Sequence, residues 1–351
     1  MLCLNCVETD SRSALQSTCP VCCNLFQVKS GPIDRRPLVV CVNGDTVCAE
    51  CFNKCRKRPD GKCPTCDDDL RPTPIVNQVL LELIENCTSM PEISFNEIKM
   101  EKQPFASGGF GKVYKAKWRK ESIAIKVIKA GSEEEKQAVK CEANLTLSLI
   151  HPNVIKLYGI TRVKGMSKHG IVMEEAEHGS LDMWIGKIDR GKLTKIALGI
   201  VDGLIYVHSQ HVIHRDIKPQ NILMFGRKED MIPKLADFGV SKVIATTIKT
   251  HTTVGQHLYM APEVTAFQQY GFSADVFSLA VMLFEMFNEQ LLSESSKEMR
   301  GFIAGILAGR NGDIPKNCNV PVHLLNVIKR GWNYNPEERP TLSEYYFVFQ
   351  G

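Results

Sequence analysis

The sequence predicts an α+β protein preceded by a small, metal-stabilised module, and three observations predict it. Twelve of the 14 cysteines fall in the first 87 residues. A strand-rich stretch begins near Ile93. After Gly179 the chain turns mostly helical. The 351 residues leave room for two or three domains. A composition of 44% hydrophobic and 23% charged residues suits an ordinary globular protein, and a net charge of +4 is too mild to argue for nucleic acid or a membrane surface. No stretch is long and apolar enough to span a membrane.

The cysteine-dense segment, residues 1 to about 70, has little apolar periodicity. It cannot bury enough apolar surface to fold alone, so metal must supply the stability. Cys19-Pro-Val-Cys22, Cys48-Ala-Glu-Cys51 and Cys63-Pro-Thr-Cys66 repeat one spacing, and such a turn points two thiolates at a single tetrahedral ion. The start, Met1 to Cys6, has no basic end and no apolar run, so no signal peptide is expected. An intracellular, cytoplasmic chain follows as the expectation, and paired cysteines in that setting point to zinc. Lys54-Cys55-Arg56-Lys57-Arg58 reads as a solvated loop. Ile75, Val79, Leu80, Leu83 and Ile84 recur at helical spacing behind Pro72 and Pro74, which predicts a helix from Pro74 to Ile84, with Cys87 to Pro91 as a linker.

Beyond the linker, Val113 to Trp118, Ser122 to Val127, Val154 to Thr161 and Gly170 to Met173 read as strands. A helix opening on Glu133, Glu134 and Glu135 should lie between the second and third, its acids forming a solvated first turn. Helices are expected over Leu193 to His208, Ala274 to Phe287 and Leu324 to Lys329. Phe277 to Phe287, interrupted by Ser278 and Glu285, should be a buried helix.

Chemistry concentrates in Ile213-His-Arg-Asp216-Ile-Lys218-Pro-Gln-Asn221 and in Asp237-Phe238-Gly239. Phosphoryl transfer needs a base facing the acceptor hydroxyl and oxygen ligands for the metal that holds the phosphates. Asp216 is the candidate base, Asn221 and Asp237 are candidate Mg²⁺ ligands, and Lys218 is a cation near the moving group. Upstream, Phe105-Ala106-Ser107-Gly108-Gly109-Phe110-Gly111-Lys112-Val113 is a glycine-rich run whose bare backbone could close over phosphates.

These motifs resemble those of protein kinases over about residues 94 to 351. Ile123-Ala124-Ile125-Lys126 is similar to the strand that supplies the ATP-binding lysine, and Glu142, nine residues before His151-Pro152-Asn153, to that lysine's partner. Ile171 to Ala176 resembles the hinge, which implies Met173 beside the adenine and the backbone of Glu174 to Ala176 on its edge. Val113, Ala124 and Leu223 match the apolar residues that sandwich the base. Ala261-Pro262-Glu263, Asp275 and Arg339 match the end of the activation segment, the anchor of the catalytic loop and the partner of the glutamate. The resemblance implies a bilobal kinase fold, ATP and Mg²⁺ as cofactors, and protein substrates. Lys218-Pro219 is similar to the serine/threonine branch; His151 to Gly159 and Gly179-Ser180-Leu181 resemble the tyrosine-kinase-like group. Arg215 before the catalytic aspartate goes with control by phosphorylation at Thr246, Thr247, Thr250, Thr252 or Thr253. Two departures are Ala106 at the first glycine and Gln256 where a threonine is usual.

The N-terminal cysteines resemble a RING finger. That implies one zinc on Cys19, Cys22, Cys48 and Cys51, and another on Cys41, Cys63, Cys66 and a fourth ligand, Asp45 or Cys55. A ribbon-like set of Cys3, Cys6, Cys19 and Cys22 remains an alternative. The RING resemblance also implies a ubiquitin-conjugating enzyme as partner, through Val21 and Pro64, although Asp67 stands where active RINGs carry a basic residue. The expected domains are 1–72, a RING-like zinc module; 73–93, helix and linker; and 94–351, kinase, with lobes at about 94–173 and 177–351. The rival reading is a signalling scaffold or RING-type ubiquitin ligase with a weak kinase domain.

Overall fold

The computed structural model describes residues 37–41, 46–57, 62, 69–76, 91–108, 111–128, 143–144, 146–163, 168–210, 212–238, 258–265, 271–291, 301, 305–306 and 318–350. Near the N-terminus, β1 (Pro37–Cys41) and β2 (Thr46–Cys48) form an antiparallel pair in which Pro37 faces Cys48, and α1 (Ala49–Cys55) follows without a gap. Leu38, Ala49 and Phe52 are buried between them. Lys54 and Cys55, expected in a loop, instead close α1.

β3 (Leu70–Val76) pairs along the other side of β1, with Val39 facing Ile75 and Leu38 facing Val76. This corrects the expected helix: Pro74, Ile75 and Val76 are strand. β-branched neighbours favour extended backbone, and an edge strand tolerates Pro72 and Pro74, which have no N–H to donate. Residues 77–90, the rest of that helix and most of the linker, lie outside the described residues.

Among the described residues the first lobe is built on one antiparallel sheet; of the helix expected from Glu133, residues 133–142 lie outside the described residues and 143–144 and 146–148 are helical. The strands of the sheet are β4 (Ile98–Met100), β5 (Ala106–Gly108), β6 (Gly111–Trp118), β7 (Glu121–Ile128), β8 (Leu157–Val163) and β9 (Lys168–Glu174), in the order β4-β6-β7-β9-β8 with β5 beside β6. The strand expected from Val154 starts at Leu157; Val154 makes a lone bridge to Leu235. Period-two alternation divides the sheet into two faces. Tyr114, Ala116, Ile123, Ile125, Val127 and Val172 close the core on one side. The register aligns Val113 with Lys126 and Ile171, and Lys115 with Ala124 and Met173, on the other. Ile93 joins the core, its N–H donating to Ile160 O at 2.8 Å.

The second lobe is helical, as expected, with one addition. β10 (Ile222–Arg227) and β11 (Asp230–Leu235) form a hairpin that the apolar pattern did not reveal. Among the described residues the lobe's principal helices are α2 (Arg190–Ser209), α3 (Pro262–Thr265), α4 (Phe272–Asn288), α5 (Val322–Gly331) and α6 (Leu342–Gln350). Asp189 caps α2, its carboxylate accepting from Gly191 N at 2.9 Å. Leu193, Ile196, Ala197, Ile200, Leu204 and Val207 then present one apolar stripe. α4 is buried from Ala274 to Asn288. No helix among the described residues is long and apolar enough to cross a membrane.

The Glu263–Arg339 pair ties α3 to the turn before α6 with two bonds, Nη1 to Oε1 at 2.6 Å and Nη2 to Oε2 at 2.8 Å. The two side chains are 4% and 1% exposed. Arg339 also donates to the carbonyls of Asn333 and Ser273. Removing one member strands a buried charge, so Arg339→Met should lower stability by about 3–5 kcal/mol, read as a fall in the chemical-denaturation midpoint. A midpoint matching wild type would show that the pair stabilises little.

Candidate catalytic site

The catalytic segment is held from behind by Asp275 in the first turn of α4. Its carboxylate has no exposed surface and accepts the backbone N–H groups of His214 and Arg215, each at 2.8 Å. His208 Nε2 meets the same carboxylate at 2.8 Å. Burial alone would raise Asp275, but the bond and charge of His208, with His214 and the Arg215 N–H, hold its carboxyl below the ordinary value. Arg215 is in the left-handed region, φ +69°, so these bonds stabilise an uncommon backbone.

His214 lies in the core, where burial pushes its imidazole below the ordinary 6.5 despite three neighbouring aspartates. In the neutral ring, Nε2–H donates to Ala236 O at 3.1 Å, leaving Nδ1 to accept from Asp216 N at 3.4 Å. His214 thus joins the catalytic segment to the residue preceding Asp237. The motif alone assigns it no role; its place before Arg215 is the available signal.

Asp216, Lys218 and Asn221 converge. Lys218 Nζ donates to Asp216 Oδ2 at 2.7 Å, and Asn221 Nδ2 donates to the same oxygen at 2.8 Å and to Asp216 O at 2.7 Å. The knot orients the Asp216 carboxylate. Asp237, at φ +66°, turns its carboxylate to Lys126, and the two form an ion pair across the lobes. Phe238 turns the other way into the core, 4.6 Å from the His214 ring. Burial would raise Asp237, but the Lys126 charge and hydrogen bond, with His214 and Lys218, hold its carboxyl below the ordinary range. It is therefore ionised at neutral pH. Oxygens of Asp237 and Asn221 are the hard donors Mg²⁺ prefers, so these residues fit the expected metal.

The cleft ceiling is the second face of the sheet. Val113, Ala124 and Lys126 share it, with Met173 in the next strand, and Ala124 is 5% exposed. Across the cleft, in the C-lobe, Leu223 bridges Ser180 of the same lobe; it, Met173 and Ala176 pack against the C-lobe core. Glu174 ends β9. Phe105 is 51% exposed, and Ala106, Ser107 and Lys112 are also exposed, as suits a flap over the cleft. Ala106 pairs with Val113 inside β5, so ordinary extended backbone replaces the expected glycine. Gly108 pairs with Gly111. Gly111 is required: at φ +146° an added Cβ would lie 2.3 Å from Val127 O.

Glu142, Gly109, Phe110, Gly239, Gln256 and the five threonines of the activation segment lie outside the described residues, as do Cys3, Cys6, Cys19, Cys22, Asp45, Cys63 and Cys66. Cys41, Cys48 and Cys51 are described by backbone only, ending β1, ending β2 and within α1. Among the described residues no cluster of three His, Cys, Asp or Glu side chains could hold a metal.

The decisive comparison is with protein families: residues 101–347 match the protein kinase domain. The chain belongs to the protein kinase family. Among curated relatives, serine/threonine/tyrosine-protein kinase HT1 of Arabidopsis thaliana is 29% identical over 70% of this chain and 64% of its own length. Serine/threonine-protein kinase STY46 of the same plant is 31% identical over 73% of this chain and 44% of its own. Mitogen-activated protein kinase kinase kinase 10 of Xenopus laevis is 30% identical over 74% of this chain and 27% of its own. The kinase thus covers less than two thirds of each.

His214 gives the kinase a pH dependence of known sign. Its folded pKa is depressed, so the stability gained by keeping it neutral is present above 6.5 and is lost as pH falls below that value. His214→Phe should unfold at lower temperature than wild type near pH 7.5, and the gap should narrow towards about pH 5. Thermal midpoints at both pH values check this; a constant gap would contradict it.

Proposed function

We propose that the chain is a serine/threonine protein kinase that transfers the γ-phosphate of ATP to protein hydroxyls. The observation carrying this is the knot of Asp216, Lys218 and Asn221 on one lobe, facing an ionised Asp237 paired with Lys126 of the other. Asp216 orients the acceptor hydroxyl and takes its proton as the oxygen bonds to the γ-phosphorus. The bond to the β-phosphate oxygen breaks as that one forms. Lys218 offsets negative charge on the transferred group, and Lys126 anchors the remaining phosphates. Bound to Asn221 and Asp237, Mg²⁺ would neutralise phosphate charge. The Val113–Ala124 ceiling and the Leu223 floor sandwich the adenine ring and exclude water from its faces. The Lys218-Pro219 dipeptide and the names of the relatives support the serine/threonine assignment.

Arg215 Nε is buried with no hydrogen-bond partner among the described residues. Phosphate on Thr246, Thr247, Thr250, Thr252 or Thr253 would supply an anion for this guanidinium.

Purified full-length chain with Mg·ATP and a protein acceptor should yield phosphoserine or phosphothreonine. Lys126→Met, Asp216→Asn and Asp237→Ala should each lower the rate by about 10²-fold or more. Wild-type rates in Asp237→Ala would refute the mechanism, and phosphotyrosine alone would refute the acceptor class.

The N-terminal part of the proposal is a RING-like zinc module that recruits proteins, including a ubiquitin-conjugating enzyme, in a cytoplasmic kinase. It is supported by the paired cysteine spacing and by a hairpin running directly into a helix, which spaces Cys48 and Cys51 one turn apart. The full-length chain should contain about two zinc equivalents, with Cys19→Ser and Asp45→Ala each losing one. One equivalent in wild type, or loss on Cys3→Ser with Asp45→Ala unchanged, would favour the ribbon-like set.

A further inference from the structure

Two consecutive acids at the end of β9 are drawn in opposite directions. Glu174 is gripped by Lys234 of the β10–β11 hairpin, whose Nζ lies 2.7 and 2.8 Å from its two oxygens. It also accepts from Lys156 N at 2.8 Å. Both side chains of the pair are 17% exposed. Lys234 faces Leu223, the floor residue, across the hairpin. The first hinge residue is therefore fixed to the C-lobe.

Glu175 reaches the other way. Lys115 Nζ of β6 donates to its carboxylate at 2.7 Å. Lys115 shares the nucleotide face with Val113 and pairs with Ala124, one row nearer the hinge. Its ammonium lies 5.5 Å from the centroid of the exposed Phe105 ring. The Glu175 bond and charge hold the Lys115 ammonium above its ordinary pKa.

We propose that the Lys115–Glu175 pair is a latch along the hinge edge of the nucleotide cleft, and that Lys115 is a positioning residue which holds the ceiling strand over bound nucleotide and slows its release. Glu175 is one residue from Glu174, which is fixed to the C-lobe. Opening the lobes must therefore stretch the Lys115 contact. The Lys115 stem meanwhile continues the apolar ceiling beyond Ala124, and its head approaches Phe105 on the flap. The inference rests on the nucleotide-binding reading of this cleft.

Because the Lys115 side chain is 44% exposed, the effect should be a few-fold and sensitive to salt. Lys115→Met keeps the stem and removes the charge. In the full-length kinase at low salt it should raise the dissociation constant of Mg·ADP and the KM for ATP about three- to five-fold, with kcat within about twofold. Lys115→Arg should restore both constants, and the gap between Lys115→Met and wild type should shrink as salt rises. An unchanged dissociation constant in Lys115→Met, with wild type binding Mg·ADP, would overturn the latch alone. So would an unrestored Lys115→Arg, or a loss confined to kcat. Failure of wild type to bind Mg·ADP would overturn the kinase reading and the latch with it.

Discussion

The Asp275 carboxylate, without exposed surface, accepts two consecutive backbone N–H groups from the catalytic segment. Those groups belong to His214 and Arg215, and Arg215 carries a positive φ that an isolated chain would seldom adopt. The next residue is Asp216, so the aim of the candidate base is set by a helix it does not belong to. The same histidine binds Ala236 O, immediately before Asp237, and packs its ring at a tilt against Phe238. Candidate base and candidate metal ligand are thereby referenced to one buried point. A polar group buried in this way costs heavily unless fully bonded, and Asp275 has three donors.

The sheet of the first lobe supplies the complementary half through its alternation. One face packs Ile123, Ile125 and Val127; the other brings Val113, Ala124 and Lys126 to the cleft. A one-residue slip would exchange the faces and bury Lys126 in the core. Gly111 guards the register, since the close approach of Val127 O to its Cα admits no side chain. Lys126 then meets Asp237 across the gap, so each lobe contributes one charge to the same contact.

What could be read from the sequence followed the range of the signals. Asp216, Asn221 and Asp237 lie in short motifs whose chemistry is local, and the structure brings Asp216 and Asn221 together within hydrogen-bond distance. The Glu263–Arg339 pairing also came through, but from resemblance rather than pattern, since 76 residues separate the partners. The β10–β11 hairpin escaped because β10 opens on a short continuous apolar run, Ile222 to Phe225, which has no period of its own, and β11 is only six residues of mixed polarity. Pro74-Ile75-Val76 misled because apolar residues spaced for a helix also suit a strand when the run is short and its partner, β1, is distant in sequence. Lys115 and Lys234 belong to no motif; only the folded chain brings them to adjacent hinge acids.

α4 shows why the interruptions in an apolar run can be its most informative residues. Ser278 and Glu285 break the hydrophobic pattern of a helix buried from Ala274 to Asn288. Both turn to the end of the activation segment: Ser278 Oγ donates to Tyr259 O at 2.6 Å, and the Tyr259 hydroxyl donates to Glu285 Oε2 at 2.7 Å. Burial and the neighbouring Glu285 carboxylate hold the phenol far above its ordinary pKa, so it remains a donor. Apolar residues at 278 and 285 would keep the helix buried but leave the Tyr259 hydroxyl unpaired in the core, at a cost of about 1–3 kcal/mol. The helix therefore serves as the common reference of the C-lobe. Asp275 fixes the catalytic segment, Ser278 and Glu285 fix Tyr259, and the carbonyl of Ser273, also on α4, accepts from Arg339, which fixes Glu263.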